Sequence, residues 1–285
     1  MYALFDIGGT KIRCALSGDT LDVDNLTIEI VPTPKKFDEG IAFFREYLNK
    51  HRRGRTIRAV AGGITGLLDE KRSLLIRSPH LPAWIDMPLK KELESVFESP
   101  VYIENDASMV GLGEAVYGAG KEHEIVAYIT ISTGVGGSRI VRGAIDTSKY
   151  GFEPGHQIID PHGIPCSGCG QKGHLEGYVS GSALEQRFSK KAYEITDPAI
   201  WDEIARFLAY GLHNTTLHWS PDIIILGGSM MKEQGIPIER VKMHLTDIFA
   251  VFPQIPKIEK ALLGDIGGLW GSLAFLAQKL ENKNI

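Results

Sequence analysis

The sequence predicts an α/β protein, and three observations support this prediction. Short apolar segments typical of strands alternate with segments whose apolar residues recur at helical spacing. A strand–glycine turn–strand pattern occurs twice, in residues 2–16 and 125–145, which predicts two tight β-hairpins. After the second hairpin, residues 151–176 form a glycine-rich loop with two cysteines and three histidines. Such a loop predicts a metal site added to the α/β framework.

The composition limits the classes of function to consider. The chain of 285 residues is long enough for one large domain or two, and its 43% hydrophobic and 23% charged residues are ordinary for a soluble globular protein. A net charge of −4 gives no electrostatic support for nucleic-acid binding. No apolar run is long enough to span a bilayer, and the N-terminus lacks a signal-peptide pattern. Together with Cys14, which we expect as a buried thiol, this predicts a cytoplasmic protein without nucleic-acid or membrane partners.

The two predicted hairpins each place hydroxyl side chains beside a glycine turn. The turn residues are Gly8, Gly9 and Thr10 in the first hairpin and Ser132, Thr133, Gly134 and Gly136 in the second. Backbone N–H groups at such turns form concavities that bind anions, so the paired occurrence predicts phosphate binding. Neither turn has the Walker pattern, and neither opens a helix as a dinucleotide-binding glycine loop does.

The other predicted elements alternate along the chain. Helices are expected at residues 37–51, 87–97, 107–117, 182–192 and 198–218, with a last one ending at 280. Buried strands are expected at residues 59–64, 101–104 and 221–226. Gly227 and Gly228 follow the last of these strands. This pair suits close approach of a planar ligand such as adenine, or equally the start of a helix.

Asp106 stands where a predicted strand runs into a helix. Helix capping would explain an aspartate there, since the helix dipole stabilises a negative charge. Capping explains the sequence Glu104-Asn105-Asp106 less well, because the carboxyl ends of strands in α/β sheets are where ligands bind. A carboxylate at this place can accept a proton from an attacking hydroxyl.

The spacing of residues in the glycine-rich loop predicts a structural zinc site. Cys166 and Cys169 form a C-x-x-C pair, with His156 before it and His174 after it. Zinc prefers four tetrahedral sulfur and nitrogen ligands, and close spacing lets one tight turn supply two of them. Unligated buried thiols are the alternative, and His162 could replace His156 in the ligand set.

Two glutamates flank the predicted metal ligands. They are Glu153 and Glu176, and the fold should carry both carboxylates to the neighbourhood of the metal. A carboxylate accepts two hydroxyl hydrogen bonds, and these are stronger than bonds between neutral groups. The loop therefore suits recognition of a polyhydroxylated ligand.

At these motifs the sequence resembles the ROK family, which is named for repressors, open reading frames and sugar kinases. FDIGGTK (residues 5–11) and ITISTGVGG (129–137) look like its phosphate motifs, and IENDA (103–107) looks like the strand end with the catalytic aspartate. EPGH (153–156) is similar to its sugar motif, and PDIIILGGS and LLGDIGGLWGSL are similar to its closing motifs. The family zinc motif C-x-C-G-x-x-G-C-x-E reads CSGCGQKGHLE here, with one extra residue between the cysteines and His174 in place of the last cysteine. His80 stands where the family usually has asparagine.

The resemblance implies an actin-like (ribonuclease H-like) fold with two α/β lobes and the sugar and nucleotide in the cleft between them. We expect the N-terminal lobe at residues 1–107 plus 272–285 and the C-terminal lobe at 108–271, with the zinc loop at 153–176. Family members form homodimers or tetramers, and a homodimer is expected here. Family repressors carry a winged helix before the first phosphate motif, and no DNA-binding domain is expected in this chain.

The resemblance also implies an activity, that of an ATP-dependent hexose kinase acting on the 6-hydroxyl of glucose or a related neutral hexose. Asp106 would be the general base, and the sugar would be bound by Gly66, Asn105, Asp106, Glu153, His156 and Glu176. ATP would be bound by Asp6, Gly8, Gly9, Thr10, Lys11, Ser132, Thr133, Gly134, Gly136, Gly227 and Gly228. Asp6 would orient Mg²⁺ through water, and the structural zinc would be held by His156, Cys166, Cys169 and His174. The alternatives are an N-acetylhexosamine kinase for GlcNAc or ManNAc, a fructokinase, and a sugar-binding sensor without catalysis.

Overall fold

The computed structural model describes residues 1–18 and 26–281. The chain divides into two compact units. Unit 1 consists of Met1–Tyr117, Thr147–Gly151 and Leu263–Ile285, and unit 2 consists of Gly118–Asp146 and Phe152–Leu262. None of the described helices combines the length and the apolar character needed to cross a bilayer.

Strands and helices alternate, and the elements at Thr27–Pro32, Ile238–Ile248 and Lys257–Lys260 were not predicted from the sequence. The strands are β1 (Ala3–Ile7), β2 (Lys11–Leu16), β3 (Thr27–Pro32), β4 (Val60–Ile64), β5 (Leu67–Leu68), β6 (Leu75–Arg77), β7 (Val101–Asn105), β8 (Ile125–Ile131), β9 (Val135–Val141), β10 (Ala144–Ile145), β11 (Ile223–Gly227) and β12 (Lys257–Lys260). The helices are α1 (Phe37–His51), α2 (Leu89–Phe97), α3 (Asp106–Tyr117), α4 (Glu176–Val179), α5 (Gly181–Phe188), α6 (Pro198–Trp219), α7 (Ile238–Ile248) and α8 (Gly267–Glu281).

Unit 1 is built on a five-stranded sheet with the order β3-β2-β1-β4-β7. β1 pairs antiparallel with β2 and parallel with β4, and β4 pairs parallel with β7. α1 and α2 cover one face and α8 the other, so every residue of β1 is buried. Burial on both faces explains the near-continuous apolar sequence of this strand. Asp6 is its one charged residue.

Unit 2 has a sheet with the corresponding plan, in the order β10-β9-β8-β11-β12. β8 pairs antiparallel with β9 and parallel with β11, and β11 pairs parallel with β12. α6 buries Ile204, Leu208 and Leu212 in the core of this unit. The helix begins after Asp197, whose side chain accepts a hydrogen bond from the backbone of Ala199, as a helix N-cap does. The predicted repeat of two hairpins is confirmed.

The predicted lobes meet at residues 107/108 and 271/272, which would place most of α3 and the start of α8 in the C-terminal lobe. In the structure, α3 and the whole described part of α8 lie in unit 1. Glycines let these two helices approach closely. A Cβ atom on Gly113 would lie 2.8 Å from the carbonyl oxygen of Gly267, and one on Gly271 would collide with the carbonyl oxygen of Met109. The segment Thr147–Gly151 also belongs to unit 1. Residues 282–285, which the prediction assigned to the N-terminal lobe, lie outside the described residues.

Candidate active site

The first glycine turn joins β1 to β2 in unit 1. The N–H of Gly8 donates to the carbonyl of Lys11 at 3.0 Å and closes the turn. Thr33 holds it from the side, with its hydroxyl donating to the carbonyl of Gly8 at 2.7 Å and its N–H to that of Thr10 at 2.9 Å. A Cβ on Gly9 would lie 2.7 Å from Cβ of His80, so only glycine fits here. The turn residues from Gly9 to Lys11 are exposed, which leaves this end of the hairpin open to a ligand.

Asp6 lies beside this turn, and its surroundings perturb its carboxyl group. Arg13 Nη1 donates to Asp6 Oδ2 at 2.8 Å, and the carboxyl group packs against Gly268 near the start of α8. Burial raises the pKa of Asp6 from 3.8 to about 6, with the Asp106 charge adding to the rise and Arg13 opposing it. The carboxyl group is therefore ionised above about pH 6 and then offers oxygen, the atom that Mg²⁺ prefers.

Asn105 and Asp106 lie where β7 passes into α3. Asn105 Oδ1 accepts from the N–H of Ser108 at 3.2 Å, the bond an N-cap makes, while Asp106 Oδ1 accepts from the N–H of Ala107 at 2.9 Å. Asn105, and not Asp106, therefore caps the N-terminus of α3. Helix capping does not explain the presence of an aspartate at position 106. The Asp106 side chain remains half-exposed at the carboxyl end of a parallel strand.

Gly66 is tied to Asn105 by its backbone. Its carbonyl accepts from Asn105 Nδ2 at 3.1 Å. Its φ of 116° and the close approach of Arg77 and Ser78 exclude a side chain. The predicted unit 1 residues therefore group at one end of its sheet, since β1, β4 and β7 are neighbours and end at Ile7, Ile64 and Asn105.

The second glycine turn joins β8 to β9 in unit 2. The N–H of Ser132 donates to the carbonyl of Gly134 at 2.8 Å. The N–H of Gly181, at the start of α5, donates to the carbonyl of Ser132 at 2.7 Å, and the Ser132 hydroxyl lies 3.2 Å from that of Ser229. The start of α5 and Ser229 are parts of this site that the sequence analysis missed. The sequence predicted a helix from residue 182, close to its observed start at Gly181, but no local signal placed that start beside this turn.

Gly227 and Gly228 lie against β8. A Cβ on Gly227 would collide with the ring of Tyr128, and one on Gly228, whose φ is 92°, would collide with the carbonyl of Ile131. A short 3-10 turn, Ser229–Met231, follows the pair. Close packing against β8 is thus sufficient to explain both glycines, and contact with adenine stays a prediction.

The predicted metal ligands come together in unit 2. The ligand atoms of His156, Cys166, Cys169 and His174 all lie within 4.8 Å of one another. His156 Nδ1 and Cys169 Sγ each lie 3.2 Å from His174 Nδ1. Two thiols and two imidazoles are a donor set that fits zinc. This group of ligand atoms contains His156 and not His162, which favours the first of the two alternatives that the sequence left open.

The residues around the Cys/His cluster favour metal binding. Burial lowers the pKa of His174, which favours the neutral imidazole that binds metals. Gly170 and Gly173 both have a φ of 76°, a left-handed conformation that favours glycine and lets the loop bring its ligands inward.

Glu153 and Glu176 occupy different environments. Glu153 is exposed, at the start of a 3-10 turn that carries His156. Glu176 is only 7% exposed. Its Oε2 accepts from the N–H of Val135 at 2.8 Å, and its Oε1 from the thiol of Cys166 at 3.2 Å. The buried carboxylate therefore connects the metal-binding loop to the second glycine turn, a link that sequence spacing did not predict.

Comparisons with known proteins agree with this geometry. A sequence profile of the ROK family matches residues 2–279. The chain is 28% identical to glucokinase of Streptomyces coelicolor, over 98% of this chain and 92% of that protein. It is 29% identical to N-acetyl-D-glucosamine kinase of Yersinia pseudotuberculosis, over 97% of this chain and 98% of that protein.

Solved structures of the family share the fold. The structure resembles ROK hexokinase from Thermus thermophilus with a TM-score of 0.81 and 28% identity, covering 98% of this chain and 99% of that one. It resembles a ROK glucokinase from Streptomyces griseus, solved with glucose and AMPPNP, with a TM-score of 0.79, 28% identity and the same coverage. The predicted actin-like sugar kinase fold is confirmed, and the chain belongs to the ROK family.

Proposed function

We propose that the protein is an ATP-dependent hexose kinase that phosphorylates the 6-hydroxyl of glucose or a related neutral hexose. The observation that carries this proposal is Asp106, a half-exposed carboxylate at the end of a parallel strand whose helix-capping position is filled by Asn105. The similar Streptomyces griseus structure holds glucose and an ATP analogue, which supports both substrates. The similar relative from Streptomyces coelicolor is a glucokinase, which supports the sugar.

In the proposed reaction Asp106 accepts the proton of the 6-hydroxyl as that oxygen attacks the γ-phosphorus of ATP. The bond from the γ-phosphorus to its bridging oxygen breaks, and ADP leaves. Phosphoryl transfer depends mainly on positioning and charge neutralisation. Backbone N–H groups of the two glycine turns hold the phosphates, with Lys11 and the hydroxyls of Thr10, Ser132 and Thr133 beside them.

Mg²⁺ supplies neutralisation of the charge on the transferring phosphates when it is bound. Asp6 would hold it through water, and the carboxyl group fits this role once it is ionised above about pH 6. Gly227 and Gly228 are assigned to the adenine side of the nucleotide.

The sugar ligands in this proposal are Gly66, Asn105, Glu153, His156 and Glu176. Glu153 is exposed, and its carboxylate is an acceptor for hydrogen bonds from sugar hydroxyls. Nδ1 of His156 faces the metal ligands, so Nε2 is the atom assigned to the sugar. Glu176 positions the second turn through its bond from Val135. When Cys166 deprotonates to bind zinc, its hydrogen bond to Glu176 Oε1 is lost, and that oxygen can accept from a sugar hydroxyl.

Zinc in the four-ligand cluster would be structural. It would tether the loop that carries Glu153, His156 and Glu176, in keeping with a closed site of four protein ligands. We also propose a cytoplasmic homodimer, because the family resemblance implies self-association and the free thiols suit a reducing compartment. Light scattering in solution tests the dimer.

One specific observation favours a second candidate, an N-acetylhexosamine kinase. The Yersinia pseudotuberculosis relative with this activity is as similar to the chain as the glucokinases are. The two candidates differ in the room required near carbon two of the sugar.

A coupled ADP-release assay over a panel of sugars tests the proposal. We expect turnover with glucose or a close neutral hexose and little with sialic acid or sugar phosphates, because an anionic sugar would meet Asp106 and Glu153 with like charge. Turnover restricted to GlcNAc or ManNAc would favour the second candidate. Binding of sugar and ATP without turnover of any sugar would instead identify a sensor.

A further inference from the structure

Arg72 lies in the turn between β5 and β6 in a backbone conformation that favours glycine. Its φ is 52°. The turn itself is organised by Asp69, whose carboxylate accepts from the N–H groups of Ser73 at 2.6 Å and Leu74 at 2.8 Å. The turn thus has its own support and does not require an arginine. The backbone strain alone does not indicate a function, since Arg53 has a similar φ of 48°; the contacts of the Arg72 guanidinium do.

The guanidinium group of Arg72 joins three parts of unit 1. Nε donates to Glu104 Oε2 at 3.1 Å, and Nη1 donates to the carbonyls of Asp69 and Lys149, both at 3.3 Å. The side chains of Arg72 and Glu104 are 21% and 12% exposed, so the pair is largely shielded from water. Charge-assisted bonds in such surroundings hold their geometry better than bonds at an open surface.

Glu104 transmits this anchoring to the end of β7. Its Oε1 accepts from the N–H of Asn105 at 2.8 Å, while its Oε2 is held by Arg72. A carboxylate fixed at both oxygens restrains the peptide between residues 104 and 105. That peptide leads directly to Asp106, the residue assigned as base. Lys149 precedes Glu153 closely in the chain. Its bond to the Arg72 guanidinium therefore also restrains the segment that leads to the proposed sugar-binding loop.

We propose, on the basis of the kinase activity proposed above, that Arg72 is a positioning residue for phosphoryl transfer. Its guanidinium anchors Glu104, and Glu104 holds the N–H of Asn105 so that the Asp106 carboxylate keeps one orientation toward the sugar hydroxyl. Arg72 itself touches neither the sugar nor ATP. The backbone of Arg72 is strained, while its side chain positions the residues of the reaction.

The substitution Arg72→Gly separates these effects, because glycine adopts this φ without strain while the guanidinium is lost. We expect kcat to fall roughly tenfold to hundredfold, the effect of losing a hydrogen bond to a charged group. Relief of the strained φ should offset part of the loss of the ion pair, so the melting temperature should stay near that of the wild type. Guanidinium chloride at millimolar concentration should restore part of kcat in this variant.

Arg53→Gly is the matched control. Arg53 is an exposed arginine of unit 1 with a φ of 48°, so its substitution relieves the same kind of strain. It should leave kcat and the KM for sugar unchanged. Glu104→Gln keeps the shape of the side chain but weakens the ion pair, so it should also lower kcat. This variant tests the proposal if Arg72→Gly fails to fold.

Wild-type kcat in Arg72→Gly would overturn the proposal. So would a loss of kcat that follows a lower melting temperature and does not respond to guanidinium, because that pattern indicates a merely structural role. Hydrogen exchange at the amide of Asn105 gives a readout that needs no activity. It should be faster in Arg72→Gly than in Arg53→Gly, and equal rates would contradict the proposal even if the wild type phosphorylates none of the sugars and the kinase function itself fails.

Discussion

The two glycine turns of this protein belong to sheets of the same plan but are held in different ways. In unit 1 the turn between β1 and β2 is tied by Thr33, which binds Gly8 and Thr10 through a hydroxyl and a backbone N–H. In unit 2 the turn between β8 and β9 is held by the buried carboxylate of Glu176, which also meets Cys166 of the metal-binding loop. One topology is thus stabilised by hydrogen bonds from a threonine in one unit and by a buried carboxylate beside a Cys/His cluster in the other.

The repeated hairpins are therefore equivalent in topology, while only the second one contacts a carboxylate beside the predicted metal ligands. Metal binding couples to folding, because the ligands must be brought together and deprotonated. Loss of metal should therefore loosen the second turn and leave the first one in place. Conversely, the charged residues Asp6 and Asp106 belong to unit 1, and changes there should affect chemistry and leave metal content alone.

The largest expected effect comes from Asp106→Ala. We expect kcat to fall by about two to four orders of magnitude, the usual contribution of a general base. Sugar binding measured by calorimetry and zinc content should both persist, because Glu153 and the metal cluster are unchanged. If Asp106→Ala retains near-wild-type turnover, Asp106 is not the general base and has only a structural role at the start of α3.

The next effect comes from removing a metal ligand. We expect about one zinc per chain in the wild type, as a site with four protein ligands holds. Cys166→Ser and His174→Ala should lower the metal content, speed hydrogen exchange at the amide of Val135 and raise the KM for sugar roughly tenfold to hundredfold.

The matched control for these variants is His162→Ala, a neighbouring histidine outside the cluster, which should change none of the three quantities. Exchange in the first glycine turn should also stay as in the wild type. A zinc-free protein with full activity and an unchanged second turn would show that the two turns do not differ in the way described.

The smallest effect is the pH dependence of Asp6. Because its folded pKa of about 6 lies above its ordinary 3.8, its contribution to stability is fully present below about pH 3.8 and is lost as pH rises through 6. The ionised form that suits Mg²⁺ grows over the same range. The Mg²⁺ concentration for half-maximal rate should be about twofold higher near pH 6 than well above it, since about half of the groups are ionised at their pKa.

Asp6→Asn tests this origin, because the amide cannot titrate. It should abolish the fall in stability measured by urea unfolding between acid and neutral pH. A wild-type stability that rises steadily over this range, with no change in the variant, would assign the pH dependence to other groups.

The parts of this protein that could be predicted from sequence are those carried by local spacing. The two hairpins, the strand end at Asp106 and the grouping of Cys166, Cys169 and His174 all depend on residues close together in the chain or on motifs with a fixed pattern. β3 was missed although its residues alternate, because it is an exposed edge strand and carries no buried apolar face.

The parts that escaped prediction depend on contacts between residues far apart in the chain. Glu104 lies in the motif IENDA, but no pattern indicated its partner Arg72, because the pair depends on how the β5–β6 turn lies against β7. Glu176 was expected to accept hydrogen bonds from sugar hydroxyls, and its burial and its bond from Val135 were not predicted. Composition and periodicity carry no information on which of two glutamates in one loop turns inward.

Phosphorus NMR of the products formed from ATP, Mg²⁺ and glucose tests the central claim most directly, because it reports both the transfer and the carbon that receives the phosphoryl group. The account predicts a new signal from a phosphomonoester at carbon six, coupled to two methylene protons, together with ADP. It also predicts that both signals appear much more slowly with Asp106→Ala than with the wild type. Release of inorganic phosphate alone, or phosphorylation of a ring hydroxyl, would contradict the account.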